Sequence, residues 1–205
     1  MQSSRAAARC VGRVRMAHMR SAAASSADTT TCVLAILRQH SVFLHGLDDA
    51  VYTFHSPLLN GSVGQHTRHS LDHLRMPLEL LTAQPEGGSE GNVVHYDVRD
   101  RHTRVEKDRH AAIEQIGQLE KTLRGVPLGS FTQPVQAAFM LSADGREFAF
   151  ESTFARELAF AVHHCIHHNA MSKVLLRHHF PRQCVPEGFG MAPSTASFRI
   201  AHPHE

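Results

Sequence analysis

Histidine is the residue type in this sequence best suited to chemistry. The chain has 18 His in 205 residues, almost as many as its 19 Asp and Glu together. His66, His69 and His73 follow one another at intervals of three and four residues, so a helix would place all three on one face. Imidazoles bind divalent metals and exchange protons near neutral pH, which makes this face a candidate site for either role.

A second histidine group, HHCIHH, contains two pairs at i,i+4 spacing: His163 with His167, and His164 with His168. This spacing lets two imidazoles on one helix reach a single cation. The second pair lies on a stripe whose other residues, along 154–175, are mostly apolar, so it is expected to face the core. The stripe of the first pair is also apolar. Both pairs therefore remain open, with the second favoured.

Together the two groups favour a metal site over isolated core histidines. A single His on an apolar face is most often a buried residue with a hydrogen-bond partner, but imidazoles that converge from two helices suit a divalent cation. The expected ligands are His69, His164 and His168, and the alternates are His66, His73, His163 and His167. Three protein ligands leave a coordination position open for water or substrate. Nitrogen ligands without thiolate suit Zn, Ni, Fe or Cu, and the sequence does not select among them.

Other polar residues are expected around this metal. Asp72 lies three residues after His69, where its carboxylate could accept the ring N–H that faces away from the metal or could simply be solvated. Glu157 could serve as a nearby base or lie exposed. The loop residues that would cap the pocket, or form a structural ion-pair network instead, are Tyr96, Asp97, Arg99 and Arg101.

Four helices and a hairpin are expected to position these residues. Apolar residues recur every three or four positions in four segments, which predicts helices over about 30–53, from Ser62 to near Pro77, over 107–123 and over 152–178. VQAAFML and REFAFE flank the turn dipeptide Asp144-Gly145 and predict a β-hairpin. Residues 85–104 are expected to form a long ordered loop, and the tail GFGMAPSTASFR to pack back over the helices. The expected fold class is mainly α: a four-helix bundle over residues 30–200, with a small β-hairpin inserted before the last helix.

Positive charge is concentrated at the N-terminus. Residues 1–27 hold five Arg and no acidic residue, and taking these five from the 21 Lys and Arg leaves 16 against 19 Asp and Glu. Residues 1–29 are therefore expected to be an organelle presequence, mitochondrial in preference to plastid, or else the disordered tail of a cytoplasmic protein. The body has no basic excess for nucleic acid and no apolar run of the roughly 20 residues that would span a membrane.

Several segments resemble the DinB-like (YfiT-like) superfamily. The resemblance rests on SVGQHTRHSLDHL and FARELAFAVHHCIHHNAMSKVLL, and it extends through VVHYDVRDRHTRVEKD and FGMAPST to cover roughly residues 33–195. It implies a four-helix bundle that holds a metal through one His on the second helix, His69, and two at HxxxH spacing on a later helix. For the later helix, the following LLR run aligns better with His164 and His168. The surplus of histidines and the N-terminal segment depart from the family pattern.

The resemblance implies a metal-dependent hydrolase, or a thiol transferase that acts with a low-molecular-weight thiol. In either, a divalent metal held by three histidines would activate a water or a thiol toward a small-molecule substrate. One alternative is a non-catalytic module that binds a metal or a small ligand. Another is a plain helical protein with incidental histidines, which solvent-facing histidine groups would indicate. A homodimer is compatible with each of these.

Overall fold

The computed structural model describes residues 24–81, 92–98 and 100–203. Within these residues there are seven α-helices, three strands and one 3-10 helix. The helices are α1 (Ser26–His45), α2 (Asp49–Thr53), α3 (Val63–Glu79), α4 (Arg104–Lys107), α5 (Arg109–Arg124), α6 (Phe154–His179) and α7 (Pro193–Ala201). The strands are β1 (Val93–His95), β2 (Pro134–Met140) and β3 (Glu147–Thr153), and the 3-10 helix is Leu128–Thr132.

The first two long helices begin at capping boxes. Ser25 accepts a hydrogen bond from the Asp28 backbone while the Asp28 carboxylate accepts one from the Ser25 backbone, so α1 begins about four residues earlier than expected. Ser62 and Gln65 cap α3 in the same reciprocal way, at the position expected from the sequence. Pro77 lies in the last turn of α3, and the helix continues two residues past it.

A three-stranded mixed sheet stands beside the helices. β2 and β3 form the expected antiparallel hairpin, with Ala137 opposite Phe150. β1 comes from the segment expected to be a loop and pairs parallel with β2, placing Val94 beside Ala137. The start of that segment, 85–91, lies outside the described residues. The branched side chains of Val93 and Val94 suit a short strand that forms only through this pairing.

The main hydrophobic core lies where α1, α3, α5 and α6 pack against one another. Its largest fully buried side chains include Phe43, Tyr52, Phe131, Phe154 and Phe189. A second, smaller cluster of buried residues joins the sheet to the end of α3: Met76, Val94, Tyr96 and Ala137. Phe139 and Phe160 pack against this second cluster, so the sheet is attached to the same two helices that carry the histidine groups.

The expected fold class, a four-helix bundle with an inserted hairpin, is wrong. The described residues form seven helices and a three-stranded mixed sheet. The segment expected to be one helix over 30–53 is two helices, because the backbone of Gly46 caps α1 and the chain turns before α2. The expected loop over 85–104 contributes β1, and the tail contributes α7.

The segment before α7 packs into the helices through one aromatic side chain. Phe189 is fully buried and stacks on Phe43 of α1 at 3.9 Å between ring centroids. Lys173 of α6 donates to the Phe189 carbonyl oxygen at 3.0 Å. α7 itself has no buried residue and exposes Phe198 and Ile200. None of the described helices has the length and apolarity that a membrane-spanning segment needs.

Candidate metal centre

Five histidines of α3 and α6 meet where the two helices pack against each other. We call them the histidine cluster: His66, His69, His73, His164 and His168. The Nε2 atom of His164 lies 2.9 Å from His69 Nε2 and 3.1 Å from His168 Nε2. Ligand nitrogens bound tetrahedrally to one Zn²⁺ at ordinary bond lengths are about 3.3 Å apart. The two distances from His164 Nε2 are therefore close to those between ligands of a single cation.

One hydrogen bond joins the two helices directly beside these histidines. Cys165 of α6 is buried, and its thiol donates to the carbonyl oxygen of Ser70 on α3 at 3.4 Å. Cys165 follows His164 in the chain and Ser70 follows His69. The hydrogen bond therefore helps to keep the two histidines opposite each other across the helix interface. Burial raises the pKa of the Cys165 thiol to about 12, which leaves it a neutral packing group.

His73 lies in the same cluster, one turn further along α3. Its ring stacks on the His164 ring, with centroids 3.8 Å apart and planes inclined by 18°. His69, His73 and His164 each place one ligand atom within 4.8 Å of the other two. The Nδ1 of His73 lies 3.1 Å from the His69 carbonyl oxygen, which only accepts, so this nitrogen carries a proton.

His66 is the outer partner of His168. Their Nδ1 atoms are 3.0 Å apart. If His168 uses Nε2 toward a cation, its Nδ1–H donates to His66, the kind of outer contact that orients metal-binding imidazoles. The other ring nitrogen of His66 is buried and has no hydrogen-bond partner among the described residues.

Burial keeps two imidazoles of the cluster neutral, which suits the binding of a cation. Burial, followed by the neighbouring His164, lowers the pKa of His168 to about 3. Burial also lowers the pKa of His66. At neutral pH these rings therefore present lone pairs rather than positive charge.

The alternate pair on α6, His163 and His167, lies on the exposed side of the helix. His164 and His168 are half-buried against α3. A step of one residue turns a helical side chain by about 100°, which separates the two pairs.

Three of the residues expected around the metal have other partners or lie in solvent. Asp72 forms ion pairs with Arg68 at 3.3 Å and Arg75 at 3.4 Å. Asp97 accepts from the Met140 backbone at 2.8 Å. Arg101 is exposed, and Arg99 lies outside the described residues.

Tyr96 is the loop residue that reaches the histidines. Its buried ring stacks on His73 at 4.9 Å, and its hydroxyl donates to the fully buried carboxylate of Glu157 at 2.8 Å. Burial raises the pKa of Tyr96, with a further contribution from Glu157, so the hydroxyl stays protonated. Sequence reasoning missed the role of Phe139 and Phe160, which flank Tyr96. In the sequence, Phe139 is indicated only by the alternation of its hairpin strand. Phe160 is indicated only by its position one turn before His164.

Comparison with known proteins gives a different picture from the resemblance described above. No family model matches the chain. One curated protein that it resembles is FK506-binding protein 5 from Rhizopus delemar, 38% identical over 104 residues. Those residues are 50% of this chain and 26% of the Rhizopus protein. The chain thus corresponds to only part of that relative, and the match does not by itself assign a family.

The DinB-like resemblance is wrong on this comparison, and so is the function drawn from it, a metal-dependent hydrolase or thiol transferase. The protein that the chain matches is named an FK506-binding protein, not a DinB-like protein. The physical reason is that histidines at intervals of three and four specify a helix face, which any helical protein with an imidazole cluster can share. Such a pattern carries no information about family.

Proposed function

We propose that this chain is a divalent transition-metal-binding domain, with the cation held by Nε2 of His69, His164 and His168. The observation that carries the proposal is that His164 Nε2 lies within 2.9 Å of His69 Nε2 and within 3.1 Å of His168 Nε2. A ring nitrogen offers either one proton or one lone pair, so His164 Nε2 cannot form two full hydrogen bonds to these neighbours. A cation between them would use all three lone pairs at once.

The surrounding residues fit such a cation. The low pKa of His168 favours the neutral ring that metal binding requires, and His66 supplies its outer hydrogen-bond partner. His73 is the alternate third ligand, because its ligand atom lies within 4.8 Å of those of His69 and His164. A ligand set of imidazoles alone suits Zn, Ni, Fe or Cu. When bound, such a metal would act as a Lewis acid with an open coordination position.

Elemental mass spectrometry tests the proposal on tag-free protein loaded with Zn²⁺ and desalted. Wild type and His163→Ala are expected to retain about one metal per chain, and His69→Ala and His164→Ala to retain almost none. His163 is the matched control because it is adjacent to His164 but exposed. Metal-free wild type after loading, or full retention in His164→Ala, would overturn the proposal.

The curated relative favours a second candidate function, FK506 binding of the FKBP type, with peptidyl-prolyl isomerase activity as its enzymatic form. The support is the 38% identity, which covers half of this chain. Isothermal titration of FK506 into the metal-free protein, together with a prolyl isomerisation assay, tests it. Saturable binding at one site per chain would support this candidate. No heat of binding and no acceleration of isomerisation would remove it.

A further inference from the structure

Four planar side chains from distant parts of the chain form one continuous stack that ends at the histidine cluster. Phe139 of β2 stacks on Tyr96 at 5.0 Å with planes inclined by 13°. Tyr96, just after β1, stacks on His73 of α3 at 4.9 Å and 24°. His73 in turn stacks on His164 of α6 at 3.8 Å and 18°. The orientation of His164 is therefore linked by direct contacts to the sheet.

The position of Tyr96 in this stack is set by a carboxylate. Glu157 is fully buried on α6, and one of its oxygens accepts from the Tyr96 hydroxyl at 2.8 Å. Its other oxygen accepts from Ser152 at 2.5 Å and from Arg156 at 2.8 Å. A charged group removed from water and held by three donors is a fixed anchor. Edge-on contact with Phe160 at 5.4 Å closes the remaining side of the Tyr96 ring.

We propose that Tyr96, anchored by Glu157, is a positioning residue that acts through His73 to hold the His164 ring in its metal-binding orientation. The inference rests on the proposed metal site and extends it to residues that do not bind the cation. An imidazole on an α-helix rotates about two side-chain bonds, and stacking on a fixed ring restricts both. Contacts that orient ligands typically change metal affinity by about 10- to 100-fold when removed.

The test is Co²⁺ titration followed by visible absorption, which reports both affinity and coordination geometry. Tyr96→Leu removes the ring, and Tyr96→Phe and Glu157→Gln weaken the anchor but keep the ring. Tyr52→Phe is the matched control, because Tyr52 is an equally buried tyrosine whose hydroxyl donates to the Val105 carbonyl away from the stack. Circular dichroism and thermal unfolding establish that each variant folds.

We expect Tyr96→Leu to weaken Co²⁺ binding by roughly tenfold or more and to alter the absorption bands, with smaller changes of the same kind in Tyr96→Phe and Glu157→Gln. Tyr52→Phe is expected to lower thermal stability and leave both the affinity and the bands unchanged. Wild-type affinity and bands in the folded Tyr96 variants would overturn the inference. If Tyr96→Leu does not fold, unchanged bands in both conservative variants overturn it. Failure of wild type to bind Co²⁺ would instead contradict the metal site itself.

Discussion

His69 on α3 and His164 on α6 bring their Nε2 atoms to within 2.9 Å of each other. The two residues are 95 positions apart in the chain, so only the packing of the two helices creates this contact. Two ring nitrogens at this distance either share one proton or direct their lone pairs at a common ligand. His168 approaches the same nitrogen of His164, which favours the second arrangement.

Metal loading should stabilise the folded protein only when the histidine cluster is intact. A ligand that binds the native state alone, at 100 times its dissociation constant, adds about 2.7 kcal/mol to the free energy of unfolding. Wild type and His163→Ala should therefore unfold at a higher temperature with excess Zn²⁺, whereas His164→Ala should not respond. Differential scanning calorimetry with and without chelator measures this shift. An equal shift in all three proteins would indicate binding elsewhere.

A buried histidine outside the cluster should make stability depend on pH. His40 is buried beside Thr67, and burial lowers its pKa to about 4. The ring is protonated near pH 6.5 in the unfolded chain but only near pH 4 in the folded protein. Stability therefore falls as the pH decreases from 6.5 to 4. Below pH 4 this histidine causes no further loss. The free energy of unfolding falls by up to about 3 kcal/mol, because the two pKa values of His40 differ by about two and a half units.

Urea unfolding of wild type and His40→Gln between pH 7 and pH 4 measures this contribution. The variant should lose less stability than wild type over that range, because glutamine does not titrate. His178→Gln, at an exposed position of α6, should follow the wild-type curve. Parallel curves for wild type and His40→Gln would show that His40 does not set the pH dependence.

A buried ion pair joins α3 to α4. Arg68 donates to Glu106 at 2.9 Å, and the two side chains are only 11% and 5% exposed. Replacing one partner leaves the other charge buried without compensation, so Arg68→Met should lower the free energy of unfolding by about 3 to 5 kcal/mol. The control Arg104→Met breaks a pair with Asp108 whose arginine is 70% exposed, and should cost less than about 1 kcal/mol. Denaturant titration compares them, and similar losses in both would contradict the account.

Two helical glycines should respond oppositely to the same substitution. A Cβ at Gly64 of α3 would overlap the Glu106 carbonyl oxygen, whereas a Cβ at Gly117 of α5 would meet no atom within 4 Å. Gly64→Ala should therefore force α3 and α4 apart and cost about 1 to 3 kcal/mol. Gly117→Ala should add about 0.5 to 1 kcal/mol, because alanine has less freedom to lose. Thermal unfolding measures both, and a stabilised Gly64→Ala would refute the close approach.

Local signals in the sequence located several elements but not their boundaries. Ser62 marked the start of α3 because its cap with Gln65 involves residues only three apart. Gly46 was not recognised as a helix end, because Leu47 and Val51 continue the apolar stripe of α1 and are buried in the same core. The apolar period shows which residues face the core but not where a helix ends, because two consecutive helices can face the same core.

Features that depend on distant pairing could not be predicted from the sequence. β1 has three residues, too few for a periodic pattern, and exists through its contact with β2 some 40 positions later. Helical phase favoured His164 and His168, and the structure places both against α3. The stacking of His73 between Tyr96 and His164 depends on how α3, α6 and the sheet meet, which no local pattern encodes. That the cluster binds a metal stays a prediction.

Anomalous diffraction from crystals of the Zn²⁺-loaded protein, collected on both sides of the zinc absorption edge, would locate a bound metal without reference to activity. We expect one strong peak between α3 and α6, about 2.0 to 2.1 Å from the Nε2 atoms of His69, His164 and His168. A peak at the exposed pair His163 and His167, or no peak at the cluster in fully loaded crystals, would contradict the proposed metal site.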